Sequence, residues 1–149
     1  GEMGPSAKDA PPDLARALAD ADEDVRKVAA YALAAIGPNA TDATPQLIAA
    51  LGDKIPSVRL AVAYALGEIG PENPDSISAL ARSLGDPDDD VRQELVFALG
   101  ELGESARGVL PALTPLLRDP AGGVRTSTKE AIQKIQDDMD DDESDDENK

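Results

Sequence analysis

The dipeptide Val-Arg stands at Val25-Arg26, Val58-Arg59, Val91-Arg92 and Val124-Arg125, each copy 33 residues after the last. A fixed period of this length means one supersecondary unit copied along the chain, which constrains the fold more tightly than any other feature. Other positions keep the register: Leu14, Leu47, Leu80 and Leu113; Leu18, Leu51, Leu84 and Leu117; Leu33, Leu66, Leu99 and Ile132; Ile36, Ile69, Leu102 and Ile135. Within one copy, helical spacing occurs twice, first in Leu47, Ile48 and Leu51, then in Val58, Val62, Ala65, Leu66 and Ile69. Each unit is therefore expected to be a helical hairpin. Proline opens the first helix near Pro12, Pro45 or Pro111, where the first-turn N–H has no intrahelical partner, and glycine closes the second at Gly37, Gly70 or Gly103. The expected helices span 12–20 and 24–36, 45–52 and 56–69, 75–85 and 89–102, and 108–118 and 122–136. One hairpin cannot bury its own apolar face, so the copies must stack into an array with a curved inner surface.

Composition narrows the function. Aromatic residues make up only 2% of the 149, so the core must be built from Ala, Leu and Val. With no Cys and no His, the chain excludes disulfides, thiolate zinc sites and cysteine nucleophiles, and it has no imidazole for acid–base work near neutral pH. No glycine-rich phosphate loop or nucleophile elbow is found, and no catalytic, cofactor-binding or metal-ligating residue is assigned. Asp20-Ala-Asp22-Glu-Asp24 and Asp86-Pro-Asp88-Asp-Asp90 begin like an EF-hand calcium loop. Val25 and Val91 then stand where that loop needs Gly, and Tyr31 and Phe97 where it needs its bidentate Glu, so both read as inter-helix turns. The apolar runs are too short to cross a bilayer and no signal peptide is evident, so the chain reads as soluble, with the cytoplasm the favoured compartment.

The string VRLAVAYALGEIG from Val58, preceded by a helix of the type PxLxxLLxD, resembles the HEAT repeat, in particular the short bacterial variety of phycobilisome-lyase-like and related scaffold proteins. The resemblance covers about residues 12–136, and ankyrin, which the period alone would allow, lacks its TPLH signature here. It implies an all-α, right-handed α-solenoid of four two-helix repeats (12–37, 45–70, 75–103 and 108–136), with the second helices lining the concave face and protein binding as the usual function. The family places an Asp six residues before the Arg, matched here by Asp20/Arg26, Asp53/Arg59, Asp86/Arg92 and Asp119/Arg125. There such residues form a polar ladder between neighbouring repeats; an anion-binding row of arginines is the competing reading. The bilin-lyase relatives imply an alternative, pigment–protein handling, for which this chain has no Cys or His.

Projection of the second helix at about 100° per residue puts Val58, Val62, Ala65 and Ile69 on one face and turns Leu60, Ala63, Tyr64 and Gly67 away. These outward positions are unexpectedly apolar, and the three aromatic residues of the chain, Tyr31, Tyr64 and Phe97, share one of them. Two readings stand. The row Tyr31, Leu60, Tyr64, Gly67, Val96, Phe97 and Gly100 anchors a partner, the glycines admitting it to the backbone, or the aromatics pack sideways on the next repeat. Glu68 and Glu101 beside the row favour a partner with positive charge. Nucleic acid is not expected against a net charge of −16, and neither is a membrane.

The two ends differ. In the last unit Ser127 and Thr128 stand where the first has Val28 and Ala29, as suits a terminal cap. The first unit shows no such change, so further repeats ahead of it, or residues 1–11, otherwise a flexible segment, are expected to cover its edge. Residues 137–149 hold nine carboxylates and one apolar side chain. They are expected to be a disordered acidic tail, serving as a solubilising chain, a contact for a basic partner or a diffuse cation binder.

Overall fold

The computed structural model describes residues 10–71 and 73–147, and among these it contains helices and turns only. The molecule is an α-solenoid of four stacked hairpins. The first helices are α1 (Ala10–Ala17), α3 (Thr44–Ala50), α5 (Pro74–Arg82) and α7 (Leu110–Leu113), and the second are α2 (Glu23–Ile36), α4 (Pro56–Ile69), α6 (Asp89–Glu101) and α8 (Gly122–Glu147). Neighbouring second helices pack on one another far more extensively than neighbouring first helices do. The closely packed row is therefore the inside of the bend, and the first helices form the outside.

The local causes are visible in the termini. Asp22, Asn73 and Asp88 accept the N–H of Asp24, Asp75 and Val91, so α2, α5 and α6 begin on a side-chain cap. Gly37 and Gly70, at φ 71° and 100°, end α2 and α4 in the left-handed region, their N–H groups returning to the Leu33 and Leu66 carbonyls. The core follows the register: Leu33, Leu47, Leu66, Leu80, Leu99, Leu113 and Ile135 are fully buried.

Several boundaries differ from expectation. The first helix starts at Ala10, inside the segment expected to be flexible; residues 1–9 lie outside the described residues. The outer helix expected over 108–118 is only one turn of α-helix, flanked by 3₁₀ turns at Gly103–Val109 and Thr114–Arg118. Pro111 and Pro115 each remove a backbone donor there, so α-helical bonding cannot run through the segment. The last helix, α8, runs to Glu147, into the segment expected from residue 137 to form the acidic tail. The base of this segment makes contacts that composition does not show. The loop over residues 103–109 packs along α8, Met139 is half-buried against the core, and the Asp138 carboxylate lies so close over the Gly103 turn that a Cβ there would overlap it. Residues 148–149 fall outside the description.

A polar ladder fixes the spacing of the repeats. Arg26 donates through Nε and Nη2 to both carboxylate oxygens of Asp53, at 2.7 and 3.2 Å; Arg59 does the same to Asp86 (2.7 and 3.0 Å) and Arg92 to Asp119 (2.9 and 3.0 Å). Each side-chain pair thus joins an arginine to the aspartate 27 residues ahead, in the next repeat. The aspartate six residues behind contributes its carbonyl, which accepts from Nη1 of Arg26, Arg59, Arg92 and Arg125. Every rung aspartate also accepts the N–H two residues on, at Ile55, Asp88 and Ala121. The paired side chains are at most 14% exposed. Burial alone would raise the pKa values of Asp53 and Asp86, but the arginine hydrogen bonds, the backbone N–H groups and the arginine charges together hold them below the usual carboxylate value. For Asp119 the Arg92 hydrogen bond is the leading cause of the same shift.

Candidate functional site

The inner row of helices presents the aromatic residues in sequence, but their environments differ. Tyr31 on α2 and Phe97 on α6 are 42% and 48% exposed, whereas Tyr64 on α4 is half-buried against the core. Tyr31 and Tyr64 meet with ring centroids 5.8 Å apart and planes tilted by 53°, a favourable edge-type geometry. Leu60, on the same helix as Tyr64, is half-buried against the core.

Three of the residues grouped with the aromatics lie elsewhere. Val96 is completely buried, and so is its register mate Ala63, because these positions face the following second helix rather than solvent. A Cβ at Gly67 would stand 3.0 Å from the Ala98 Cβ, and one at Gly100 3.0 Å from the Ala131 Cβ. The glycines therefore admit the next helix of the solenoid and not a partner's backbone. A single-helix projection could not show this, since it has two faces, while a second helix in a stack has four neighbours: the outer helix of its own hairpin, the second helices on either side, and solvent.

Glu94 on α6 was not singled out by sequence. It is half-buried, its Oε1 is fully buried with no hydrogen-bond partner, and burial, reinforced by the nearby Glu68 charge, pushes its carboxyl up to about 7. In register it replaces Val28, Ala61 and Ser127 of the other repeats, and that departure from the pattern is the signal that could have found it. Glu101, by contrast, is paired with Lys134 of α8. Beside Phe97 a depression of about 170 Å³ is lined by Gly100, Glu101, Ser127, Glu130, Ala131 and Lys134. The inner face can thus offer two exposed aromatic surfaces and the exposed Glu68 beside the half-buried Glu94, neither acid ion-paired among the described residues, an arrangement suited to non-covalent holding. Elsewhere, carboxylate oxygens of Asp88, Asp89 and Asp90 lie within 4.8 Å of one another, but they belong to the start of α6, where Asp88 is the helix cap.

No helix among the described residues is long and apolar enough to span a membrane. A family model for HEAT repeats matches residues 10–100, and no curated protein sequence matches the chain. Among solved structures, the chain is similar to an engineered protein (TM-score 0.68, 22% identity, covering 84% of this chain and 62% of that one). It is also similar to a designed armadillo repeat protein in complex with the peptide (KR)4 (TM-score 0.67, 23% identity, covering 82% and 62%). A second engineered protein aligns at TM-score 0.63 and 25% identity over 83% of this chain and 36% of that one. The chain thus spans less than two thirds of the length of each of these structures. Repeat folds of this kind generally serve as non-enzymatic scaffolds for protein interaction. With a 33-residue period, stacked hairpins, a shared arginine–aspartate rung and a family match over most of its length, the chain belongs to the HEAT-repeat family.

Proposed function

We propose that the inner face of α2, α4 and α6 holds a polypeptide segment of basic character, with Tyr31 and Phe97 as anchors, Tyr64 as the packed centre of the row, and no bond made or broken. The observation that carries the reading is the exposure of Tyr31 and Phe97. Among the described residues only five large apolar side chains are exposed, and these two share one register position on the inner row. Large aromatics gain more than other side chains from being covered, and they lose little conformational entropy in the process. The basic character is supported by Glu68 on the middle helix α4 and Glu94 on α6, neither of which has a cation partner among the described residues. The likeness to a designed repeat protein bound to (KR)4 is compatible with this chemistry.

The test is a titration of a fluorescent (Lys-Arg)4 peptide, with a (Asp-Glu)4 peptide as control, into the full chain at moderate salt. Binding of the basic peptide alone is expected, and the pair Tyr31→Ala and Phe97→Ala is expected to weaken it about 30-fold or more, the equivalent of about 2 kcal/mol. Glu94→Gln is expected to remove the gain in affinity between pH 6 and pH 8, because a cation favours the ionised acid. Equal binding by the aromatic double variant, with helicity unchanged, would place the site elsewhere.

A further inference from the structure

The opposite end of the solenoid carries an interface that is half complete. Leu47, Leu80 and Leu113 are wholly buried, while Leu14 at the same register position is only partly so. Val58, Val91 and Val124 are 0–1% exposed, whereas Val25 is 40% exposed; Val28 is 63% exposed where Ala61 is 0%. In the later repeats these positions are covered against the preceding hairpin, at the Val28 register fully for Ala61 and partly for Glu94 and Ser127. In the first repeat they form, with Ala17 and Ala29, the wall of an apolar depression of about 320 Å³.

The polar half of the interface is also prepared. Asp20 accepts the N–H of Asp22 through Oδ1 at 2.9 Å, the same turn that holds Asp53, Asp86 and Asp119 ready for an arginine from the repeat before. Each of those three receives a two-pronged arginine; Asp20 receives none among the described residues. The C-terminal edge does not mirror this. Arg125 is placed like its counterparts, held by the Asp119 and Pro120 carbonyls, but Lys129 and Gln133 stand exposed where Ala63 and Val96 or Gly67 and Gly100 pack in earlier repeats. Such a polar edge would bury Lys129 against Val28, which argues against a second copy stacking head to tail.

We infer that the flank formed by Leu14, Ala17, Val25 and Val28 is a docking surface for a further two-helix unit of this repeat class, stacked in register ahead of α1 and α2, whose second helix delivers an arginine to Asp20. The inference is independent of the inner-face proposal, because it uses other residues on another side of the molecule.

The chain has no cysteine, so Val28→Cys provides a unique probe of this flank. The experiment compares thiol labelling of Val28→Cys in the full chain and in a chain carrying a second copy of residues 39–71 inserted between Pro5 and Ser6. That insertion puts the copied arginine 27 residues ahead of Asp20. The extended chain is expected to label about tenfold or more slowly, with fully retained helicity, as for a site opened only by local unfolding. Asp20→Asn is expected to leave the urea midpoint of the original chain unchanged, yet to lower that of the extended chain as much as Asp53→Asn lowers the original. Rapid labelling of the extended chain would overturn the inference, as would indifference of the extended chain to Asp20→Asn. Slow labelling of the original chain would do so as well: if it depended on protein concentration, a second copy would be the occupant, and if it were lost on deleting residues 1–9, that segment would be.

Discussion

The arginine–aspartate ladder gives the most exacting test of how the solenoid is held together. Arg59 and Asp86 form two charge-assisted hydrogen bonds at 2.7 and 3.0 Å with side chains 12% and 8% exposed. A surface ion pair is worth about 0–1 kcal/mol, but removing one partner of a buried pair strands the other's charge and costs about 3–5 kcal/mol. The Arg59 guanidinium keeps the Asp53 carbonyl after Asp86→Asn, and the asparagine still accepts the Asp88 N–H, so the lower end, about 3 kcal/mol, is expected. With a urea slope of about 1.5 kcal/mol per molar, this lowers the midpoint by about 2 M. Arg59→Met should cost a similar amount by stranding Asp86. The double variant should recover about 2 kcal/mol of the summed losses, since an uncharged pair leaves no buried charge unpaired. Urea unfolding followed by circular dichroism supplies all four corners of the cycle. Strictly additive losses, or single losses below about 1 kcal/mol, would mean that the rungs are surface ornaments and that apolar packing alone sets the repeat spacing.

Stability should be highest in mildly acidic solution. The rung aspartates, with lowered pKa values, contribute stability above the ordinary value near 4 that is lost as the pH falls below it. Glu94, raised to about 7, binds its proton more tightly when folded, so its contribution is fully present below the ordinary carboxylate value and is lost as pH rises through 7. Glu94→Gln should accordingly stabilise the chain at pH 8 by about 1–2 kcal/mol, allowing for its half-exposed position, and flatten the alkaline limb of a melting-temperature profile. Gly100→Leu should lose about 3 kcal/mol or more by prising α6 from α8, while Gly100→Ala combined with Ala131→Gly should come back close to the parent in thermal denaturation. Cutting the chain after Gln136 should reduce the helical ellipticity by the last three turns of α8 and lower stability by about 1 kcal/mol through the loss of the Met139 contact.

The repeat, the hairpin and the order of the helices were legible in the sequence because they depend on local spacing. A 33-residue recurrence of Leu, Val-Arg and Gly needs no tertiary information to be read as stacked hairpins, and the glycines at 37, 70 and 103 mark turns that only a left-handed residue makes easily. What the stacking alone decided are the relations between copies. Arg26 and Asp20 lie six residues apart, yet the carboxylate that Arg26 grips belongs to Asp53, because the side chain reaches across the stack while only the near carbonyl lies within its own turn. Gly67, Val96 and Gly100 look solvent-facing on an isolated helix and are enclosed once a neighbour arrives at 3.0 Å from a Cβ position. Composition shows 137–147 only as an acidic run, whereas the structure sets Met139 and loop 103–109 against the core and the base of this segment. Glu94 acquires its raised pKa only in the stack, through burial first and then the Glu68 charge that α4 brings beside it. Periodicity fixes what each unit is, since it reports the faces a helix must bury; which atoms meet across units depends on the approach of helices far apart in the chain, and no local pattern encodes that distance.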